Sequence, residues 1–413
     1  MHSLIKPFRA LRPAVGRAAA VAAPPYDVLN TDEARQRAHG HPASFLHISK
    51  PEIDLPEGTD PYSPAVYARG AKNLRQLIDG GVLIRDEQPH YYIYQLRMGE
   101  HVQRGIACVG SVAEYDRNRI RKHEFTRPDK EDDRVRQITA LNAQTGPVLL
   151  AYRSNAELRQ IIADNSRGIP TYEVKADDGI VHTIWVVQDH EQISAVTRIV
   201  DAMDSLYIAD GHHRSASASR VAAARGVGNP GHSGDLDYNY FLCVAFPHDE
   251  MRILDYNRVV KDLSGQSATD FLLRIGLKFT VTPVAERARP GHAGQFGMYL
   301  GGQWYRLDIQ PGLIPKDPVA SLDVSLLQEH LLAPVLGIGD PRRDKRIDFV
   351  GGVRGLGELE RRVDSGEMAV AFAMFPTSLE ALMAVADANQ VMPPKSTWFE
   401  PKLADGLLSH LLD

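Results

Sequence analysis

The spacing of apolar positions changes several times along this chain, and each change predicts an element. "HYYIYQLRMGEHVQRGIACVGSVAEY" alternates and is rich in aromatic and β-branched residues, which predicts a hairpin turning at Gly99-Glu100. "AVYARGAKNLRQLIDGG" has helical spacing and a Gly-Gly stop, and "TDEARQRAHG" opens a helix at an N-cap-like Thr31. Asp116 to Arg136 is the most charged stretch. Beyond it, "GPVLLAYR", "VHTIWVVQD" and "SLYIAD" read as strands, and "AELRQIIADN", "HEQISAVTRIVDAM" and "SASASRVAAAR" as helices. "YNYFLCVAFP" and "MRILDYNRVV" read as paired strands. A second half starting near Leu263 holds a helix in "ATDFLLRIG", a strand in "FTVTPV", a hairpin in "FGMYLGGQWYRLDI" and a helix across "SLDVSLLQEHLLAPVLG". Strands and helices alternate irregularly, so the expected class is α+β with mixed sheets rather than a doubly wound parallel sheet.

Composition narrows the function. The chain has 413 residues, 43% hydrophobic and 24% charged, an ordinary globular balance with room for two or three domains. The net charge of -5 does not suggest a duplex nucleic-acid binder. Cys108 and Cys243 lie in apolar runs and read as reduced core thiols, with no ligand spacing for a structural zinc. No apolar run approaches a membrane span. The alanine-rich start is too short and too often broken by proline for a signal peptide, so a cytoplasmic protein is expected.

Common catalytic signatures are missing: no P-loop, no dinucleotide fingerprint, no nucleophile elbow, no protein-kinase set and no His-Glu-x-x-His. What stands out is "YIADGHHRSASAS", an apolar strand followed by Asp-Gly-His-His-Arg and a run of small residues. If a helix starts after Asp210, then Gly211, His212, His213 and Arg214 lie at its N-terminus, where free N–H groups favour a phosphate. Arg214 can grip an oxyanion with two parallel bonds. The histidines can donate hydrogen bonds or move a proton, and Asp210 can hold a divalent cation or accept a proton. The plainer alternative is that Asp210 merely caps the helix. A second cluster, "RIRKHEFTRPDKEDDR", offers Glu124 as another carboxylate and Arg121, Lys122 and Arg127 as cations for a polyanion. A third, "MPPKSTWFEPK", offers Lys395, Ser396 and Thr397 as carboxylate- or phosphate-binding types.

"APPYDV", "RKHEFTRPDKEDDR", "ADGHHR" and "MPPKSTWFEPK" together resemble a bacterial family catalogued as domain of unknown function 1015, over nearly the whole chain. The Asp-Gly-His-His-Arg motif also resembles that of free-serine kinases of the ParB/sulfiredoxin-like fold. The C-terminal half, read from its pattern as an α/β domain at 263–413, has no counterpart in the small kinases of that fold. For the rest, the resemblance implies a catalytic region at 111–262, with an N-terminal α/β region at 1–110 packed on it. It implies a small-molecule kinase making O-phosphoserine from free L-serine, with ATP or ADP as donor (pyrophosphate as a variant) and Mg²⁺ on Asp210. Glu124, following His123, matches the catalytic glutamate of those kinases, beside Asp210, His212 and His213. Phe125 to Ala209 is a longer separation than the small kinases have. The alternative is a ParB-like protein that binds or hydrolyses nucleotide and acts as a regulator or on nucleic acid. A homo-oligomer is compatible with either.

Overall fold

In the computed structural model, which describes residues 3–413, the alternating segments of the first half build one nine-stranded mixed sheet. Its strands are β1 (Ile5–Lys6), β2 (Tyr91–Met98), β3 (His101–Ser111), β4 (Ile120–Arg121), β5 (Val148–Tyr152), β6 (Tyr172–Lys175), β7 (Val181–Val187), β8 (Leu206–Asp210) and β9 (Tyr240–Pro247). They lie in the order β4-β8-β5-β9-β3-β2-β7-β6, with β1 paired to β3. β4 with β8 and β5 with β9 are parallel, and the other neighbours are antiparallel. β5 and β9 are buried at every residue, as central strands covered on both faces must be. Across β3 and β9 the free thiols of Cys108 and Cys243 stand 3.5 Å apart in the core.

The longer helices of this half are α1 (Thr31–Ala38), α2 (Pro64–Asp79), α3 (Pro128–Leu141), α4 (Ala156–Asn165), α5 (His190–Asp201) and α6 (His212–Gly228). The cap of α1 is Asn30, one residue before the expected Thr31, because Asn30 and Glu33 form a reciprocal capping box. Much of the charged stretch becomes α3. Pro128 starts it, Asp129 and Glu131 sit in its first turn, and Ile138 and Leu141 are buried. The C-terminal segment returns to this half. Asp405 exchanges backbone hydrogen bonds with Ala23, and Ser409 does the same with Leu11. That return carries Lys402 and Asp405 to the neighbourhood of β8 and α6.

The chain divides into two compact units, one running to Met251 and including Pro401–Asp413, the other Arg252–Glu400. The expected segments 1–110 and 111–262 thus share one sheet, and the division falls at Arg252 rather than at 263. The second unit has a six-stranded sheet of β10 (Tyr256–Val260), β11 (Phe279–Val284), β12 (Gln295–Leu300), β13 (Gln303–Ile309), β14 (Ile347–Gly351) and β15 (Val370–Ala373). The order is β11-β13-β12-β15-β10-β14, antiparallel throughout. It carries α7 (Ala268–Ile275), α8 (Leu356–Asp364) and α9 (Leu379–Asp387). The class is α+β with mixed sheets, as the pattern predicts.

Two expectations are corrected. "YNYFLCVAFP" and "MRILDYNRVV" do not pair with each other. β9 already has β3 and β5 on its two sides, and β10 pairs with β14 and β15 instead. The helix expected across residues 321–337 is broken into Asp323–Leu327, a π turn at Gln328–Leu332 and Ala333–Leu336. Pro334 has no N–H to give the preceding turn, so a regular α-helical ladder cannot run through it.

Candidate functional site

The site begins where β8 ends. Gly211 is the N-cap of α6 with φ of 103°, and no side chain caps that helix. Such a φ favours glycine. A Cβ there would also lie 3.1 Å from the guanidinium carbon of Arg214. With glycine as its N-cap, α6 has no cap from that residue's side chain, and its first-turn N–H groups, with the positive end of the helix dipole behind them, can receive an anion.

Asp210, one residue before that turn, is held by two cations. Its Oδ2 accepts from Arg214 Nη2 and from Lys402 Nζ, each at 3.3 Å. Burial pushes the carboxyl up, but Lys402 and Arg214 outweigh burial and hold it well below the usual carboxylate range. Asp210 therefore stays ionised and is a weak proton acceptor. Arg214 also donates from Nη1 to the Pro147 carbonyl, which fixes its guanidinium.

His212 joins the two distant motifs. Its Nε2 accepts from the His123 backbone N–H at 3.4 Å. That leaves the ring proton on Nδ1, which faces Glu124 Oε2 at 3.6 Å. Burial, with His123 adding to it, keeps the His212 imidazole well below its ordinary pKa, so it is neutral. The His123 ring packs edge-on against it with centroids 4.4 Å apart, and burial brings His123 down to about 4. Glu124 itself is half exposed. A carboxylate open to solvent on one side and oriented by a neutral imidazole is suited to take a proton from a bound hydroxyl.

The remaining candidates divide. His213 Nε2 accepts from the Arg127 backbone N–H at 3.1 Å, and burial lowers its pKa. The Arg127 guanidinium turns instead to Asp129 at 2.8 Å and is exposed. Arg121 sits on β4 in register with Tyr207 of β8. The Lys122 ammonium lies 3.9 Å from the Tyr115 ring centroid, and burial lowers its pKa. Lys395, Ser396 and Thr397 belong to the second unit. There the Lys395 carbonyl accepts from Arg258, the Ser396 hydroxyl donates to the Pro393 carbonyl at 2.6 Å, and the Ser396 carbonyl accepts from Thr377.

Ligand atoms of His123, Glu124 and His212 all lie within 4.8 Å of one another. Two imidazoles and a carboxylate suit a transition metal better than Mg²⁺, which prefers oxygen ligands. The Asp210 carboxylate, expected to hold Mg²⁺, has its Oδ2 engaged by Arg214 and Lys402. Sequence reasoning did not single out Lys402, although it closes the quoted "MPPKSTWFEPK". Nor did it pick Asp405, which has no motif of its own and becomes significant only through the return of the C-terminal segment.

The family described as "Protein of unknown function (DUF1015)" matches residues 5–325. The chain belongs to this DUF1015 family. No curated protein matches the DUF1015 chain. Among solved structures, a free serine kinase in complex with AMP is 12% identical over 73% of this chain and 92% of its own, with a TM-score of 0.36. A conserved hypothetical protein from Pyrococcus furiosus is 13% identical over 74% and 95%, with a TM-score of 0.34. SbnI with a C-terminal truncation, from Staphylococcus aureus, is 12% identical over 73% and 86%, with a TM-score of 0.38. At these TM-scores the likenesses carry no functional inference. No helix among the described residues is long and apolar enough to cross a membrane.

Proposed function

We propose that this protein is a small-molecule phosphotransferase that phosphorylates free L-serine at the expense of a nucleotide. The observation that carries the reading is the meeting of Glu124 with His212 at 3.6 Å, beside Asp210 and the uncapped start of α6. That contact brings residues of two motifs far apart in the chain together, which supports reading Glu124 as the proton acceptor and the start of α6 as the phosphate site.

In this mechanism the terminal phosphoryl group of ATP or ADP lies at the first turn of α6, where N–H groups, His213 and Arg214 carry its charge. Mg²⁺ accompanying the donor supplies further charge neutralisation. Glu124, oriented by His212, takes the proton of the serine hydroxyl as that oxygen attacks phosphorus. The bond from phosphorus to the leaving phosphate oxygen breaks. The products are O-phosphoserine, the shortened nucleotide and the proton left on Glu124. Asp210 stays ionised and holds Arg214 and Lys402 in place around the phosphate, so its role is electrostatic positioning rather than proton transfer.

The test is incubation with Mg²⁺ and ATP or ADP against a panel of small alcohols, with products read by mass spectrometry. Phosphoserine formed in preference to other phosphorylated alcohols is the expected result. The solvent exposure of Glu124 favours one second reading, a nucleotide hydrolase in which water replaces the hydroxyl. Release of phosphate with no phosphorylated alcohol would point to it.

A further inference from the structure

His123 is buried and titratable, and the mechanism above gives its side chain no task. One side of its ring is tied down, where a ring nitrogen bonds the backbone carbonyl of Ile208 on β8. Its Nδ1 is buried with no hydrogen-bond partner among the described residues. The donor to Ile208 is therefore Nε2–H, and Nδ1 carries a bare lone pair. The residue is 2% exposed, and burial, which brings the ring down to about 4, keeps it neutral. A buried acceptor left unanswered costs stability, and native proteins hold few of them.

Its neighbours supply a reason. A ring nitrogen of His123, one of His212 and a carboxylate oxygen of Glu124 lie within 4.8 Å of one another. His212 Nε2 is taken by the His123 backbone N–H, so the nitrogen that faces Glu124 Oε2 is a donor, Nδ1–H. A metal shared by the three residues would need that nitrogen bare, which the backbone contact opposes. An ionised Glu124 has only lone pairs to offer, so it cannot answer the His123 acceptor. A protonated Glu124 can, because it carries one O–H.

We propose that His123 is a positioning residue for the phosphoryl transfer: once Glu124 has taken the proton, its O–H donates to His123 Nδ1. The timing rests on the phosphotransferase reading, and the pairing on the geometry alone. The proton leaves the serine hydroxyl, binds a Glu124 oxygen and stays there, so neither histidine changes its charge. Glu124 is then met in both of its forms, by His212 Nδ1–H as a carboxylate and by His123 Nδ1 as an acid. A partner reserved for the acid form makes Glu124 a stronger base than a solvated carboxylate. The Glu124 side chain is half exposed, and a turn about its torsions closes the remaining gap.

The first measurement needs no turnover. In Glu124→Gln the side-chain amide N–H copies the O–H of the acid. Nitrogen NMR of the full chain should show the His123 Nδ1 resonance moving upfield in Glu124→Gln relative to wild type, as a lone pair does on accepting a hydrogen bond, with Nε2 unmoved. The second measurement compares His123→Asn and His123→Gln in serine turnover. The shorter amide sets an acceptor where Nδ1 stands. The longer one reaches the Nε2 position and keeps only the donor toward Ile208. Both leave the backbone N–H on His212. His123→Asn should hold kcat within a few fold of wild type. His123→Gln should lose roughly tenfold, the scale of one hydrogen bond, with KM for serine and nucleotide little changed in either. A side chain needed only to hold Ile208 would rank the two the other way, and that order would overturn the role. An unmoved Nδ1 resonance in Glu124→Gln would overturn it too. A shifted resonance with no serine turnover in wild type would keep the pairing and remove the kinase reading.

Discussion

His212 faces two ways: its Nε2 accepts from the His123 backbone N–H, and its Nδ1 stands 3.6 Å from Glu124 Oε2. This fixes which nitrogen carries the proton. In long-range nitrogen-proton NMR spectra, the His212 ring is expected as the Nδ1–H tautomer, neutral from pH 8 down past pH 6. A ring protonated on Nε2, or charged at neutral pH, would remove the link to Glu124.

Glu124→Gln keeps the shape of the side chain and removes its capacity to accept a proton. Because Glu124 is half exposed, the melting temperature should barely move. Positioned general bases contribute roughly 10²- to 10⁴-fold, so kcat should fall by about that much while nucleotide binding persists. Full activity in this variant would assign the proton transfer elsewhere.

Lys402→Met tests the cation that the sequence reading passed over. Its ammonium and Arg214 hold the Asp210 carboxyl down. A carboxylate with a depressed folded-state pKa adds stability above its unfolded pKa of about 4, and the gain is lost as pH falls from there through the folded-state value. Urea unfolding should therefore show wild type more stable than Lys402→Met by a constant margin from pH 8 to pH 5. The margin should shrink below about pH 4. A margin independent of pH down to pH 3 would mean that Lys402 acts only by packing.

Asp405 carries the opposite sign. Burial, only partly offset by Arg214, raises its carboxyl to about 7. The folded state therefore binds this proton more tightly than the unfolded one, and ionising it costs stability as pH rises from about 4 toward 7. Asp405→Asn should be more stable than wild type at pH 8, and the advantage should fade toward pH 5. An advantage that grows on acidification would contradict the assignment.

Gly211→Ala places a side chain at φ of 103° and against the Arg214 guanidinium. Left-handed backbone costs a non-glycine residue about 1–2 kcal/mol, so a measurable loss of stability is expected. Nucleotide affinity should fall as well, because the N–H groups at the start of α6 would be displaced. Normal affinity in a folded Gly211→Ala protein would move the phosphate away from this helix.

The strand-to-helix turn at Asp210–Gly211 was legible because an apolar run, a glycine and small residues define it locally. The hairpin at Gly99 was legible for the same reason. The meeting of His123-Glu124 with His212 was suggested only by motif resemblance, since no local pattern states that β4 pairs in parallel with β8. Lys402 and Asp405 could not be placed from sequence. Their roles depend on the C-terminal segment crossing back to Ala23 and Leu11 through backbone hydrogen bonds, which leave no trace in side-chain pattern. The partner of "MRILDYNRVV" was misread for a related reason. Alternation shows that a segment is a strand, but a neighbour in sequence is not always a neighbour in a sheet.

The most direct measurement is phosphorus NMR of the protein incubated with Mg²⁺, L-serine and, in turn, ATP, ADP and pyrophosphate, with Glu124→Gln alongside. A phosphoserine signal that grows with one of these donors in wild type and is lost in Glu124→Gln is the predicted result. Donors that stay intact, or a phosphoserine signal equal in both proteins, would contradict the account.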